Sequence, residues 1–403
     1  MQHPTRHHDI DWLRIIAILL VLYFHVAMIF VEDWDWHIKN EEKSYLWLEF
    51  NFFLSRFRMP LLFVISGLGS WFAFRKRTTI QYIKERYLRL MIPLFFGMLV
   101  IVPPQIYFER LFEGINYNSF WEFYPSIFEG KPYPEGNTSW HHLWFVFYLF
   151  IYSLIAAPLF KWIRSDRGLG FRQRLQFFDH PYAMYLLVIP TIVIYCTLAV
   201  QFPQTNALVG DWGYLVYWFS FFVVGFFIAA QEKIWWRIEK NSRRSLQLAI
   251  VSILIVNYFR WNRIEIEDGS MLFYAIRVLM AFSAWTWLFT AMGYGKRYLN
   301  RPNRLLAYSN RAIYPFYIIH QTIIVIVGYY VVTLVDEGIL AKYLFISTIS
   351  LILSLAFYEF LVKPFRIMRF LFGMKEQKKK EKSMPILEKK AILKKEKHEE
   401  VGV

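Results

Sequence analysis

The feature that most constrains this chain is a series of apolar segments, each about 18 to 24 residues long, that recurs along the sequence. About 20 apolar residues form a helix as long as the hydrocarbon core of a bilayer is thick. The composition agrees, because 56% of the 403 residues are hydrophobic and 19% are charged. We therefore predict an all-α, polytopic integral membrane protein with about ten transmembrane helices, at residues 10–31, 57–75, 88–108, 142–162, 183–203, 212–230, 245–261, 271–293, 312–334 and 341–362.

Lysine and arginine distinguish the two sides of the predicted helices. Four connecting segments, which begin at Arg75, Lys161, Gln231 and Gly295, hold twenty-one basic residues, whereas the five alternating segments hold four when Arg263 is included. The positive-inside rule therefore places both termini in the cytoplasm, in agreement with an even number of helices. This orientation accounts for the net charge of +15, so we expect contact with a lipid bilayer and no nucleic-acid partner.

The chain is predicted to divide into a membrane domain, residues 1–366, and a basic cytoplasmic tail, residues 367–403, with a surface helix followed by a disordered segment. The single cysteine, Cys196, excludes a disulfide framework. We also expect no metal site, because no predicted helix holds a His-x-x-x-His pair or an acidic residue at ligand spacing.

The first predicted helix carries three polar residues on one face. At 100° per residue, Asp11 and Arg14 are neighbours, and the eleven residues from Arg14 to His25 return to within about 20° of the same direction. Arg14 and His25 lie about 16 Å apart along the axis. Charged groups cost about 2.5–3.5 kcal/mol at mid-membrane, so we interpret this stripe as the wall of a polar groove. The alternative is a snorkelling Arg14 paired with Asp11, together with a structural His25 bonded to a neighbouring helix.

The next two predicted helices add four polar candidates. Arg86 and Arg89 are three residues apart on one face, and two guanidinium groups suit a phosphate-bearing ligand. Ordinary positive-inside charge is the alternative for both. Arg58 precedes a tightly apolar run, and Ser66 stands beside a glycine within that run. Small residues such as Ser66 also permit close helix packing, which is the alternative to a role in binding.

Polar residues recur in the later predicted helices. His142 lies at the outer end of the fourth, and Tyr317 and His320 lie in the first half of the ninth. A histidine within a membrane span is a functional candidate by default, although a hydrogen-bonded core histidine is the alternative for His320. Glu359 lies near the inner end of the last predicted helix, where an ion pair with a nearby arginine is the alternative.

Five sequence motifs occur in order along the chain: "RIIAILLVLYFH", "MPLLFVISG", "RYLRLMIP", "HLWFVFYL" and "YPFYIIHQ". The first has an arginine and a histidine separated by ten residues, and the third has Arg-x-x-Arg followed by a proline. Together they resemble the motifs of the membrane acyltransferase-3 family, over a stretch from Asp11 to Arg366. The second and fifth motifs, with the terminal "KPFR", lean toward the glucan-biosynthesis (glucan succinyltransferase) branch of that family.

The resemblance implies transfer of an acyl group, acetyl or succinyl, from cytoplasmic acyl-CoA to a carbohydrate hydroxyl at the outer face of a bacterial cytoplasmic membrane. Acyl-CoA is then a donor substrate, and no permanently bound cofactor is expected. In the family pattern His25 corresponds to the catalytic histidine and Arg14 to an essential arginine. The candidate catalytic residues are therefore His25, Arg14 and His320, and the candidate substrate-binding residues are Arg86, Arg89, Arg58, Ser66, Tyr317, His142 and Glu359.

A neutral His25 can accept the proton of a sugar hydroxyl as that oxygen attacks the thioester. Arg86 and Arg89 lie where the phosphates of polyanionic coenzyme A would dock. The oxyanion requires a hydrogen-bond donor, for which Tyr317, His320 or a backbone N–H is better placed than the distant Arg14. The alternative function is a proton-coupled transporter or flippase for a glycan or small anion, which also needs ionisable groups in a membrane-embedded groove.

Overall fold

The computed structural model describes residues 7–375, and these residues form α-helices without any β-strand. This confirms the predicted all-α class. The helices are α1 (His8–Ala27), α2 (Tyr45–Phe74), α3 (Thr79–Arg86), α4 (Ile92–Phe96), α5 (Pro103–Phe112), α6 (Phe120–Phe123), α7 (Trp144–Arg164), α8 (Leu169–Arg174), α9 (Ile189–Cys196), α10 (Leu198–Gln201), α11 (Trp212–Ala230), α12 (Glu232–Lys240), α13 (Ser242–Trp261), α14 (Met271–Leu299), α15 (Arg304–Leu334), α16 (Ile339–Phe357) and α17 (Arg366–Leu371).

Within residues 7–375, nine helical spans are long and apolar enough to cross a membrane. Several combine consecutive helices with intervening 3₁₀ or π turns, and each coincides with one of the predicted spans. The protein is therefore a multi-pass membrane protein. The nine spans are His8–Phe30, Tyr45–Phe74, Thr79–Phe112, His141–Arg164, Ala183–Gln201, Trp212–Ala230, Met271–Leu299, Arg304–Leu334 and Ile339–Val362.

The remaining predicted span, residues 245–261, forms most of α13, which packs along α14. Its 20 residues match the length of a span, but Arg243 and Arg244 lie in its first turn and Arg260 in its last. These charges make α13 less apolar than the nine spans. Which side of the membrane each terminus occupies remains a prediction. Of the predicted tail, α17 begins at its boundary, and residues 376–403 lie outside the described residues.

Helix α1 lies at the centre of the bundle and packs against α2, α14, α15 and α16. In its most apolar stretch 72% of the residues are buried, compared with 33% in the last span. Neighbouring helices therefore enclose most of the surface of α1, and His25 near its end is buried. A side chain near the end of α1 can therefore meet residues from several distant parts of the sequence.

The closest helix contact in the core joins α2 to α11. A Cβ atom on Gly67 would lie 2.0 Å from the backbone oxygen of Phe222, and one on Gly225 would lie 2.2 Å from that of Val64. Because glycine has no side chain, the two backbones approach to a distance that no other residue permits. This contact fixes α2 and the residues that it contributes to the site.

The third span is helical throughout but irregular. Two π turns, Tyr87–Met91 and Gly97–Ile101, flank α4, and prolines follow at positions 103 and 104. Proline has no N–H group to donate to the preceding turn, and π turns within α-helices are frequent at functional sites. Arg89 lies in the first of these turns.

Candidate active site

A cavity of about 890 Å³ lies at the C-terminal end of α1. Its walls are formed by α1, α2, α11 and α14, and loop residues 34–37, 130–142 and 204–209 surround one end. These loops belong to the segments predicted to face the outside. Three of the predicted site residues line this cavity, namely His25, Arg58 and His142.

His25 and His320 form a buried hydrogen bond between α1 and α15. Nδ1 of His25 lies 3.1 Å from Nε2 of His320, and the two rings are parallel to within 8°. Nδ1 of His320 lies 2.6 Å from the carbonyl oxygen of Tyr317. This contact agrees with the prediction that His320 acts together with His25. His25 lines the cavity and His320 does not, so His320 lies behind His25 as seen from the cavity.

This chain of contacts determines where the protons lie when both imidazoles are neutral. The carbonyl oxygen of Tyr317 can only accept, so Nδ1 of His320 carries the hydrogen and Nε2 accepts. Nδ1 of His25 must then donate, which leaves the lone pair of His25 on Nε2. None of the described residues bonds to Nε2, and His25 lines the cavity. The protein therefore presents an oriented proton acceptor to whatever occupies the cavity.

His142 and Tyr317 support this arrangement from the side. Nε2 of His142 donates to the carbonyl oxygen of Ile318 at 3.0 Å, and the His142 and His320 rings are perpendicular with centroids 5.2 Å apart. The Tyr317 hydroxyl donates to the carbonyl oxygen of His142 at 2.5 Å. Since this hydroxyl is already bonded and Nε2 of His320 accepts, neither group is free to stabilise an oxyanion.

Arg58 provides the positive charge of the cavity. Its side chain is buried, and its guanidinium carbon lies 3.3 Å from the centroid of the Phe24 ring. Nε and Nη1 are enclosed and have no hydrogen-bond partner among the described residues. A buried guanidinium with unused donors is costly unless an anion or a partial negative charge accepts from it. Arg58 is thus better placed than Tyr317 or His320 to bind an oxyanion.

Arg14 lies away from this cavity, as the predicted separation along α1 requires. Its Nη2 donates to Asp11 at 3.0 Å and to Asn310 of α15 at 2.5 Å. The pairing with Asp11 therefore forms as predicted. The charge of Arg14 also interacts with that of Arg89, so Arg14 groups with the Arg-x-x-Arg motif instead of with His25.

Arg14, Arg86 and Arg89 together form what we call the arginine cluster. Arg86 donates from Nη2 to Ser70 at 2.9 Å, and Arg89 donates from Nε to the carbonyl oxygen of Gly373 at 3.2 Å. Each of these contacts uses one donor of a group that has five. The cluster therefore places three positive charges at the end of the bundle opposite the cavity, where the carboxylates of Asp11 and Glu85 pair with Arg14 and Arg89.

Buried apolar side chains separate the arginine cluster from the cavity. Ile18 and Val21 lie on the same stripe of α1 as Arg14 and His25, and both are buried. The residues that line the cavity include neither Arg86 nor Arg89. The polar stripe is thus interrupted, and a continuous polar groove along α1 is absent from the described part of the chain.

Ser66 and Glu359, two further predicted binding residues, belong neither to the cavity lining nor to the arginine cluster. The hydroxyl of Ser66 donates to the carbonyl oxygen of Leu62 in its own helix at 2.8 Å, beside the α2–α11 contact, which favours the packing alternative. Glu359 pairs with Lys363 and accepts from the Tyr308 hydroxyl at 3.3 Å. The alternative predicted for Glu359 is an ion pair with an arginine. The structure shows an ion pair, but the partner is Lys363.

Sequence reasoning missed a second polar group in the cavity wall, formed by His37, Glu109, Tyr133 and His141. Nδ1 of His37 lies 3.0 Å from Glu109, and the Tyr133 hydroxyl donates to Glu109 at 2.7 Å. Burial and the nearby Glu109 carboxylate raise the pKa of the Tyr133 hydroxyl. No periodic pattern connects these positions, because only His141 adjoins a recognised motif and the others come from separate loops and helix ends.

Lys39 holds the loop that carries His37. Its ammonium group donates to the carbonyl oxygens of Met28 and Val31, at 3.1 and 2.5 Å, and to that of Trp34. Burial and the neighbouring positive charge lower the pKa of Lys39 to about 8. This single side chain therefore ties the loop back onto the end of α1, next to His25.

Asp211 anchors the loop at 204–209. It accepts from the Tyr148 hydroxyl at 2.5 Å and from the backbone N–H of Thr205 at 2.8 Å. Burial raises the pKa of the Asp211 carboxyl group, although these hydrogen bonds oppose the shift.

Comparison with known proteins points to the same chemistry. The profile of the acyltransferase-3 family, described as an acyltransferase domain, matches residues 7–359. The chain is 24% identical over 394 residues to glucans biosynthesis protein C of Escherichia coli O81 (strain ED1a), with 93% of this chain and 96% of the relative covered. It is 25% identical over 389 residues to the proteins of the same name from Escherichia coli O157:H7 (strain EC4115 / EHEC) and Escherichia coli K12, with the same coverage. No solved structure matches the chain.

The matched region includes all nine membrane spans except the last residues of the ninth, together with His25, Arg58, the arginine cluster and His320. The chain belongs to the membrane acyltransferase-3 family and is an acyltransferase.

Proposed function

We propose that this acyltransferase moves an acetyl or succinyl group from cytoplasmic acyl-CoA to a hydroxyl group of a glucan at the outer face of the membrane. The observation that carries the proposal is the hydrogen-bond chain from Tyr317 through His320 to His25, which directs a lone pair into the cavity. A base that is already oriented before substrate binds is what hydroxyl activation requires.

In the proposed reaction, Nε2 of His25 accepts the proton of the sugar hydroxyl. The sugar oxygen attacks the thioester carbonyl carbon, and the resulting tetrahedral intermediate carries a negative oxygen. When the carbon–sulfur bond breaks, the coenzyme A sulfur leaves as thiolate and takes the proton from His25. The products are a sugar ester and coenzyme A, and the neutral histidine is regenerated.

Arg58 is the proposed oxyanion ligand. It lines the same cavity as His25, it is buried, and two of its nitrogen atoms have no acceptor among the described residues. Donors that are in place before reaction stabilise charge that develops in the transition state, and in a site from which water is excluded they are worth more than in solution. Loss of one such donor typically costs about 10²–10³ in rate.

The arginine cluster is the proposed docking site for the phosphates of coenzyme A. Three guanidinium groups close to one another suit a ligand with several phosphate groups. The positive-inside bias predicts that this end of the bundle faces the cytoplasm, where acyl-CoA is available. Ile18 and Val21 lie between the cluster and His25, so delivery of the acyl group requires the pantetheine arm to pass between α1 and its neighbours and displace these side chains.

The cavity has the lining expected for a sugar. Aromatic rings combined with a few polar groups are typical of small-molecule sites, and here they include Trp34, Trp36, Tyr133, Trp140 and Trp144. The assignment of a glucan as the acceptor rests on this lining and on the name of the relatives, glucans biosynthesis protein C.

The test uses the purified full-length protein in lipid nanodiscs, with acetyl-CoA or succinyl-CoA and a short β-glucan. The ester product is measured by mass spectrometry and the release of coenzyme A by its thiol. We expect His25→Ala to reduce the rate by about 10²–10⁴, the usual contribution of a general base. Replacement of the exposed His180 by alanine is the matched control and should leave the rate unchanged.

Two results would contradict the proposal. One is sustained ester formation by a correctly folded His25→Ala protein. The other is movement of glucan across the membrane without any acylated product, which would support a transporter. Substitution of both Arg86 and Arg89 by alanine should raise KM for acyl-CoA with little change in kcat, and an unchanged KM would remove the arginine cluster from donor binding.

A further inference from the structure

The group formed by His37, Glu109 and His141 combines three metal-ligating side chains from three parts of the chain. His37 lies in the loop after α1, Glu109 lies in α5, and His141 begins the span that contains α7. One potential ligand atom from each residue lies within 4.8 Å of the other two. His37 and Glu109 are buried, and both histidines line the cavity.

His141 has a ring nitrogen without a partner. Its Nδ1 lies 3.1 Å from the hydroxyl oxygen of Ser139, and its Nε2 is buried with no hydrogen-bond partner among the described residues. When Nδ1 donates to Ser139, Nε2 holds the lone pair. A metal ion at this position would accept that lone pair.

A metal-bound histidine usually has a hydrogen bond on its other ring nitrogen, and Gln321 provides this contact for His37. Nε2 of His37 lies 2.9 Å from the side-chain nitrogen of Gln321, and the side-chain oxygen of Gln321 is buried without a partner. The nitrogen and oxygen atoms of a glutamine amide are interchangeable in such an assignment. With the amide turned, its oxygen accepts Nε2–H of His37, and the Nδ1 lone pair faces Glu109. A ring N–H bonded to a side-chain oxygen is the usual way in which a ligating histidine is oriented.

Glu109 is oriented in a similar way. The Tyr133 hydroxyl bonds to Oε1 of Glu109 at 2.7 Å, which leaves Oε2, 3.0 Å from Nδ1 of His37, directed toward the two histidines. Tetrahedral zinc with bonds of about 2.0–2.1 Å separates its ligand atoms by about 3.4 Å. Small side-chain rotations would therefore bring the present ligand set to coordination distance.

We propose that Nδ1 of His37, Oε2 of Glu109 and Nε2 of His141 bind one divalent transition-metal ion, and that the ion is zinc. Two imidazoles with one carboxylate favour zinc over magnesium or calcium, which prefer oxygen ligands. The fourth position faces the cavity. The ion links the loop after α1, the end of α5 and the start of the fourth span, and it thereby braces the cavity wall next to His25.

The first experiment measures metal content by mass spectrometry of full-length protein purified with a tag that contains no histidine. After incubation with zinc and desalting, the wild type should retain about one zinc per chain. Glu109→Ala and His141→Ala should each retain little, and the exposed His180→Ala should retain as much as the wild type. Absence of zinc from the wild type, or equal retention by all variants, would overturn the proposal.

A second measurement separates loss of a ligand from loss of folding. Cobalt(II) bound in place of zinc should give the visible absorption bands of tetrahedral coordination. These bands would be absent if the three side chains were linked only by hydrogen bonds and water. Tyr133→Phe keeps all three ligands and removes only the bond to Glu109, so it should keep the bands while weakening affinity about 10- to 100-fold. Bands that persist in folded His141→Ala protein would exclude His141 as a ligand. The proposed proton transfer depends on His25, which His320 orients, and it does not use the metal ion. If the wild type binds no zinc, the metal-site proposal fails while the acyl-transfer proposal stands.

Discussion

Replacing His320 by phenylalanine removes the group that orients His25 while keeping a ring of similar shape in the core. His320 is fully buried and bonds to His25 at 3.1 Å and to the Tyr317 carbonyl oxygen at 2.6 Å. Phenylalanine can neither accept from Nδ1 of His25 nor donate to Tyr317. The neutral His25 ring then has no partner to hold its proton on Nδ1, and the tautomer with its lone pair directed away from the cavity becomes accessible.

The expected loss follows from the bond that is removed. In the reactive tautomer of His25, the buried Nδ1–H donor would lose its acceptor, which costs about 1–3 kcal/mol. If this cost raises the free energy of the reactive tautomer, the rate falls by about 5- to 150-fold. This is less than the loss expected for His25→Ala, because His25 itself remains. His320→Gln retains an amide oxygen that can accept from His25, so it should recover most of the rate.

The assay is steady-state ester formation in nanodiscs with acyl-CoA and glucan, together with thermal unfolding followed by tryptophan fluorescence. His320 does not line the cavity, so KM for either substrate should stay near the wild-type value while kcat falls. A His320→Phe protein with wild-type kcat would refute the orienting role. Equal loss in folded His320→Phe and His320→Gln proteins would instead attribute the effect to packing.

Other consequences concern stability and its dependence on pH. Gly67→Ala should lower the free energy of unfolding by about 1–3 kcal/mol, because the new Cβ would meet the backbone oxygen of Phe222. Gly69→Ala, where nothing lies within 4 Å, is the control in the same thermal-unfolding measurement, and equal losses would refute the packing argument. The pKa of Lys39 is lowered from the usual lysine value of 10.5 to about 8 in the folded protein, so between these pH values the folded state binds fewer protons than the unfolded state. The wild type should therefore gain stability relative to Lys39→Gln as the pH rises from 7 to 9, by about 0.5 kcal/mol after allowance for partial exposure; a flat difference would exclude the shift. Burial raises the pKa of Asp211, so the folded state binds a proton more readily, and the wild type should lose stability relative to Asp211→Asn as the pH rises from 3.8 through the raised pKa. Denaturation at several pH values tests this, and an opposite slope would contradict it.

Much of the fold could be predicted from the sequence because membrane spans are local properties. Length and apolar composition suffice to identify a span, and all nine spans coincide with predicted segments. The one ambiguous segment, α13, carries arginines at both ends. In the same way, the helical period alone places Asp11 beside Arg14 and separates Arg14 from His25, as the structure has it.

The sequence also supplied candidate site residues, since its motifs and polar positions single out His25, Arg58, His142 and His320. It did not determine which of them are in contact. The His25–His320 bond joins residues 295 positions apart, and only the packing of α1 against α15 creates it. A separate contact, between α15 and the start of the fourth span, occupies the Tyr317 hydroxyl, and Arg58 remains as the group with unused donors.

The group formed by His37, Glu109 and His141 shows the limit most directly. Spacing within one helix could not have identified this group, because the three residues come from three separate segments. Periodicity describes which residues share a face of one element, whereas a site built from several elements depends on how those elements pack. The sequence by itself thus determined the spans, the polar face of α1 and the family motifs. The tertiary structure alone decided which polar groups meet, because only the packing of the helices determines which side chains come within hydrogen-bonding distance in the bundle interior, where a polar group gains most from a partner.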